Sequence, residues 1–176
     1  VTFRAAKGEP IGTFYSQVPR TNAAGQYIVN ASTGMYEVSD DIEKIGNSQR
    51  DFVMGLQNTF KYKNFNLGFS LDWKEGGEFY SYTKRLSHFT GNGIETTYND
   101  RNTFIIPNSV NENIDATGGV TYTENTTPLT FETVTNFYNT TNNPGIEKTH
   151  VIDKTFVRLR EVNFNYDFPS TVTKNM

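Results

Sequence analysis

Residues 52–74 read FVMGLQNTFKYKNFNLGFSLDWK, and the spacing of large apolar residues in this stretch decides the fold. Phe52, Met54, Leu56, Phe60 and Tyr62 share one parity, with Asn58 as the exception, while Gly55, Gln57, Thr59 and Lys61 take the other, where only Val53 is apolar. After Lys63 and Asn64 the alternation resumes unbroken, with Phe65, Leu67, Phe69, Leu71 and Trp73 set against Asn66, Gly68, Ser70, Asp72 and Lys74. Successive strand side chains point to opposite faces, so this period of two predicts strands near 52–62 and 65–74, each apolar on one face and polar on the other. The short break between them predicts a tight antiparallel hairpin.

Working outward, one further strong strand is expected at 156–168. Val162, Phe164, Tyr166 and Phe168 alternate there with Asn163, Asn165 and Asp167, but the parity breaks across 157–161, and a regular strand would put Arg158 and Arg160 on the apolar side. Arginine at the mid-depth of a bilayer costs about 2–4 kcal/mol, so that end of the strand is expected above the hydrocarbon or against loops. Pro169, which cannot donate to a ladder, closes the strand. Residues 1–18 read as extended, most clearly at 11–15, and 27–29 form a weak strand. The segments 19–50, rich in Asn, Ser, Gly and Asp, and 75–154, rich in Gly, Asn, Thr and Tyr, read as long loops, with no helical pattern beyond one turn at 40–45. Eighty residues far exceed an ordinary connection of about 4–6 residues.

Composition narrows the function classes. A chain of 176 residues ordinarily holds its own core, yet hydrophobic residues are only 35% here and are concentrated in a few strands. Mean hydropathy is -0.58, and no run approaches the roughly 20 apolar residues of a transmembrane helix. A membrane barrel stays open, since its strands hide half their residues in a polar lumen. The net charge of -3 gives no general attraction for phosphate backbones, which argues against nucleic acid as a partner. The chain has no cysteine, which removes disulfides and thiolate chemistry and fits an exported bacterial protein. It starts without the charged end and apolar run of a signal peptide, so either that segment is removed or the sequence begins mid-protein.

Alternation alone suits a soluble sandwich or a membrane barrel. Strand length favours the barrel, because the strands match the 9–11 tilted residues that cross a bilayer. Tyr62 and Trp73 sit at strand ends, where amphipathic rings prefer the interface. The connections are strongly unequal, as in outer-membrane barrels with short periplasmic turns and long extracellular loops.

Three separated runs carry a family resemblance: GEPIGTFY at 8–15, IGNSQRDFVMGLQNTFKYKNFNLGFSLDWKEGGEFYS at 45–81, and FVRLREVNFNYDFP at 156–169. Their order and spacing resemble the late barrel of the SusC/RagA family of TonB-dependent outer-membrane transporters. The matching positions include Gly46, Asn47, Asp51, Phe52, Asn58, Phe60, 62–65, Gly76, Gly77 and 158–161, while 48–50 lack the proline-containing turn usual in the family. The resemblance covers about half the chain. It implies an all-β fold in which residues 1–176 supply antiparallel strands to part of a large transmembrane barrel with long extracellular loops, without the family's plug domain. Such barrels have about 22 strands, far more than the four or so offered here. It further implies a place in the outer membrane of a Gram-negative bacterium and import of an oligosaccharide or peptide. A SusD-like surface lipoprotein would be the partner, and TonB would act through parts outside this chain. On this reading Gln57, Thr59, Lys61, Asn66, Ser70 and Asp72 face the lumen, and Phe65, Leu67, Phe69, Leu71 and Trp73 face lipid.

Other chemistry is sparse. His88 and His150 lie in the long segment with no ligand-spaced partner, and read as solvated. Asn111, Asn113 and Asp115 imitate the start of an EF-hand loop, but Ala116 stands where glycine is needed and Tyr122 where the bidentate Glu should be. No nucleophile motif or phosphate cradle is present, so neither catalysis nor a cofactor or metal is expected. Tyr80, Tyr82, Tyr98 and Tyr122 are candidates for ligand stacking or partner contact. Two rival readings stay open: a secreted soluble β-sandwich that binds glycans, and a barrel-embedded hydrolase.

Overall fold

The computed structural model describes residues 1–169 and 174. In chain order its elements are β1 (Thr2–Arg4), β2 (Thr13–Ser16), β3 (Tyr27–Ile28), β4 (Glu43–Asn47), β5 (Phe52–Tyr62), β6 (Phe65–Glu75), β7 (Glu78–Tyr80), α1 (Tyr82–Phe89), β8 (Ser109–Ile114), β9 (Val120–Glu124), α2 (Phe131–Phe137), β10 (Val151–Asp153) and β11 (Phe156–Tyr166), with 3-10 stretches at Ile94–Arg101 and Pro144–His150. Strands dominate: β1–β2, β2–β4, β5–β6, β6–β11 and β8–β9 pair antiparallel, and the short β3–β8 pair is parallel. The chain divides into two compact units: Val1–Ser48 with Phe79–Ile152, and Gln49–Glu78 with Asp153–Met176.

The second unit is one antiparallel sheet in the order β11-β6-β5. Tyr62 pairs with Phe65, so only Lys63 and Asn64 turn the hairpin, and Lys63 takes the positive φ of 52° that a two-residue turn needs at its first position. Asp167 N–H donates to the Asn64 carbonyl at 2.9 Å, so β11 leaves the sheet at the same end as this turn. The register stacks apolar rows across all three strands: Met54, Trp73 and Val157; Leu56, Leu71 and Leu159; Phe60, Leu67 and Phe164; Tyr62, Phe65 and Tyr166. Asn58 is the one polar residue within these rows, beside Phe69 and Val162. The opposite face carries Gln57, Thr59, Lys61, Asn66, Ser70 and Asp72 together with Arg158, Glu161, Asn163 and Asn165.

Here the expectation for Arg158 and Arg160 is corrected. The register shifts between Leu159 and Glu161, a β-bulge that places an extra residue, Arg160, in β11. That insertion resets the parity: Val157 and Leu159 join the apolar face, and Arg158 stands opposite Asp72 on the polar one. Arg160 Nε donates to Asp72 Oδ2 at 2.6 Å, which ties the bulge to the polar face as well. Neither arginine therefore burdens the apolar side.

The first unit corrects the expectation of bare loops at 19–50 and 75–154. It holds the antiparallel sheet β1-β2-β4, the sheet β3-β8-β9, the pair β7 with β10, and both α-helices. The anticipated turn at 40–45 is not helical: its second half, 43–45, belongs to strand β4. Its core is the cluster Val29, Ile106, Leu129 and Val134, with Met35, Tyr36, Phe104, Phe137 and Tyr138 packed around it. Each helix opens on a side-chain cap, Ser81 accepting from Lys84 N–H and Thr130 from Thr133 N–H, at 3.2 and 3.3 Å. Helix α1 inverts the usual arrangement, exposing Tyr82, Leu86 and Phe89 while burying His88.

Candidate functional site

The first unit contains a cleft of about 980 Å³. Its walls come from distant segments: Tyr27 from β3, Tyr36 from the following loop, Tyr98 and Phe104 from the stretch after α1, and Phe137 and Tyr138 from the end of α2. Their rings form a continuous run. Centroids lie 5.0 Å apart for Tyr27–Tyr36, 5.5 Å for Tyr36–Phe137, 5.8 Å for Phe137–Phe104 and 4.9 Å for Phe104–Tyr98, and Tyr138 joins at 5.2 Å from Phe137. These separations lie in the favourable range for aromatic pairs, so the run is self-supporting and still presents ring surface to the cleft. Burial pushes the Tyr36 hydroxyl up to about 12, and that ring stays neutral across the physiological range.

One end of the cleft is charged. Lys84 and His88, one helical turn apart on α1, both approach the Glu95 carboxylate: Lys84 Nζ is 3.0 Å from Oε1 and His88 Nε2 is 3.1 Å from Oε2. Glu95 is held down to about 2 by its own backbone amide first, then by the Lys84 ammonium and the nearby His88 ring. Its carboxylate is nonetheless 46% exposed, whereas His88 is 4% exposed. His88 Nε2 is buried against this carboxylate and makes no hydrogen bond. Its other nitrogen, Nδ1, is 3.0 Å from Nε2 of His150, which is completely buried. Beyond His150 lies Glu147, 3.6 Å from His150 Nδ1 and bonded by the Tyr80 hydroxyl. Burial raises the Glu147 carboxyl, but the His150 ring and the Tyr80 hydroxyl outweigh it and leave the group below its ordinary value. Both histidines are thus interior groups, which corrects their reading as solvated.

The backbone between Glu95 and the aromatic wall is strained. The 3-10 stretch breaks at Tyr98, and Asn99, Asp100 and Arg101 follow with φ of 50°, 51° and 63°. Left-handed conformation costs Arg101 roughly 1–2 kcal/mol and is better tolerated by Asn99 and Asp100, and three in succession persist only where the surroundings fix them. Asn99 Nδ2 donates to the Thr103 carbonyl at 2.8 Å and an Arg101 guanidinium N–H donates to the Gly91 carbonyl at 2.9 Å. These bonds hold Tyr98 against Phe104.

The four tyrosines singled out by the sequence are not brought together. Tyr98, 52% exposed, lines the cleft. Tyr80 turns its hydroxyl inward to Glu147 and serves the interior. Tyr82 lies on the exposed side of α1, with Arg85 5.6 Å over its ring. Tyr122 lies on β9 in a smaller cavity of about 580 Å³, its hydroxyl 3.5 Å from Glu112. Sequence reasoning missed Tyr27, Tyr36, Phe104, Phe137 and Tyr138, because aromatics scattered over short separate segments share no period, and it missed Lys84 and Glu95 beside His88. The residues Asn111, Asn113 and Asp115 lie in or just after β8, where Asp115 caps the β8–β9 turn by accepting from the N–H groups of Thr117 and Gly119 at 2.8 Å. Among the described residues no group of three or more His, Asp or Glu is arranged to hold a metal.

No protein-family model matches this chain, and no curated protein matches it.

Proposed function

We propose that β5, β6 and β11 are consecutive wall strands of an outer-membrane β-barrel in a Gram-negative bacterium, part of a SusC-like TonB-dependent transporter. The single observation that carries this reading is the three-strand apolar face. Its rows run from Met54, Trp73 and Val157 to Tyr62, Phe65 and Tyr166, eight residues along β5. Eight residues span about 27 Å at roughly 3.4 Å each. At a tilt of about 40° this is roughly 21 Å of membrane depth, close to the apolar band of such barrels. Rings stand at both limits: Phe52 and Trp73 at one, Tyr62, Phe65 and Tyr166 at the other, where an interfacial girdle belongs.

Exposure supports the same reading. Leu56, Phe60, Val162 and Phe164 are 48%, 56%, 58% and 64% exposed, far above what water tolerates over so large a connected patch. Among the described residues no strand pairs with the outer edge of β5 or of β11, as expected where neighbours continue the sheet. By this reading the two-residue turn is periplasmic, and the connection from β6 to β11 is extracellular. The polar face, with Gln57, Thr59, Lys61, Asn66, Ser70 and Asp72, lines the lumen. Phe65, Leu67, Phe69, Leu71 and Trp73 face lipid. The cargo is an oligosaccharide or peptide, received with a SusD-like lipoprotein, and TonB supplies energy through parts outside this chain. The chain itself performs no catalysis in this scheme.

The rival soluble glycan-binding β-sandwich requires a second layer over the same face. Cell fractionation separates the two. The protein carrying this chain is expected to remain in the outer-membrane fraction after a carbonate wash, and recovery in the soluble fraction without detergent would favour the sandwich.

A further inference from the structure

We propose that the buried pair His88 and His150 holds one proton more than two neutral rings, and that this shared charge is a pH-sensitive latch between α1 and the 3-10 stretch at Pro144–His150. The inference concerns the first unit alone and stands apart from the transport reading.

The number of places that call for a proton carries it. The inner nitrogens of the pair, His88 Nδ1 and His150 Nε2, lie 3.0 Å apart, so one donates and the other accepts. The outer nitrogens each face a carboxylate, His88 Nε2 at 3.1 Å from Glu95 and His150 Nδ1 at 3.6 Å from Glu147. A lone pair turned towards a carboxylate oxygen is repelled, so both outer nitrogens need a proton. Three contacts thus call for a proton, and two neutral rings supply only two. Every neutral arrangement sets a lone pair against a lone pair or against a carboxylate, and one added proton removes the conflict. Both outer nitrogens are buried without a hydrogen bond, so charge attraction is what compensates them, and that requires a charged ring.

The surroundings suit a single positive charge. Glu95 lies at about 2, its own backbone amide first among the causes, and Glu147 lies below its ordinary value, burial being outweighed by the His150 ring and the Tyr80 hydroxyl. Lys84 shares the Glu95 end at 3.0 Å. At the buried Glu147 end, no side-chain cation other than His150 lies within 4 Å among the described residues. The remaining groups that face the cluster are Arg85 from α1, the Tyr80 and Tyr138 hydroxyls, both raised by burial and so neutral, and the Val1 amino group 4.0 Å from Glu147. The rings have little room to turn away. A Cβ at Gly93 would lie 2.6 Å from His88 Cδ2, and the His150 carbonyl accepts from Ser81 N–H at 2.8 Å. Loss of the shared proton therefore leaves Glu147 buried without its cation. A fold that keeps a proton which the unfolded chain has released loses stability as pH rises.

The test uses the full chain in detergent micelles, with Val1 acetylated in every sample so that its amino group does not titrate. His88 and His150 are the only histidines, so isotope labels on the ring nitrogens report this pair alone. At neutral pH three protonated nitrogens and one unprotonated are expected, whereas two of each overturns the shared proton. As pH is raised the third proton should leave, and amide protection across 144–150, corrected for base catalysis of exchange, should fall about tenfold or more over the same range. His88→Gln should abolish that fall, because the amide donates to His150 Nε2 while a neutral His150 keeps its Nδ1 proton towards Glu147. Glu147→Gln supplies an independent reading: the new amide donates to His150 Nδ1, so two protonated nitrogens and a flat exchange profile are expected. Protection in the unaltered chain that ignores pH, or an equal fall in both variants, overturns the latch.

Discussion

Replacing Val162 by arginine should destabilise the protein in lipid vesicles by about 2–4 kcal/mol, the cost of a guanidinium near the bilayer midplane on a barrel's outer face. Val162 sits in the central apolar row beside Phe69 and is 58% exposed, so little packing is lost and the solvent on that face decides the outcome. If the face were wet, the same change would fall within about ±0.5 kcal/mol, as surface substitutions generally do. Thr59→Arg, on the opposite face across from Gly68, is the control and should be near neutral in the same vesicles. Denaturant-induced unfolding of both variants supplies the comparison. A cost for Val162→Arg no larger than that of Thr59→Arg would place water on both faces.

The second large effect belongs to the first unit. Leu129→Ala should cost about 2–5 kcal/mol, since Leu129 is completely buried at the centre of the cluster with Val29, Ile106 and Val134. Leu129 N–H also donates to the Phe104 carbonyl at 2.8 Å, and Phe104 and Phe137 pack on the cluster. The resulting cavity therefore lies directly behind the aromatic wall. Hydrogen exchange should show lost protection at Leu129 and Val134 while the β5–β6 hairpin keeps its own. A loss below about 1 kcal/mol would mean that this cluster is not what holds the unit together.

The two units differ in how far their sequences declare them. In the second, strict alternation from Phe65 to Trp73 suffices to place every side chain, because a strand's period is two and any slip would invert both faces. The exception is Arg160: one residue bulged out of the ladder restores an alternation that looks broken on paper, and nothing in the letters 157–161 marks where the extra residue falls. In the first unit the signals are absent or reversed. Helix α1 falls in a segment read as loop, and its large apolar residues Tyr82, Leu86 and Phe89 face outward instead of marking a buried side. Val29, Ile106, Leu129 and Val134 come from four short segments far apart in the chain, joined only by tertiary folding. The cleft has the same character. Of its wall, only Tyr98 is a sequence candidate, and the Lys84–Glu95–His88 contact joins α1 to the 3-10 stretch that follows it, which no local pattern announces. The separation of functional and structural tyrosines likewise required the partner of each hydroxyl, as Tyr80 and its bond to Glu147 illustrate.

The most direct measurement of what solvates the sheet uses tryptophan fluorescence. Trp73 is the sole tryptophan, so Trp73→Phe gives a silent background into which Phe69→Trp or Ser70→Trp can be placed, adjacent residues on opposite faces. In vesicles of brominated phospholipid, the account predicts strong quenching and a blue-shifted maximum for Phe69→Trp, with Ser70→Trp unquenched. Emission from Phe69→Trp that is indifferent to the bromines would contradict it.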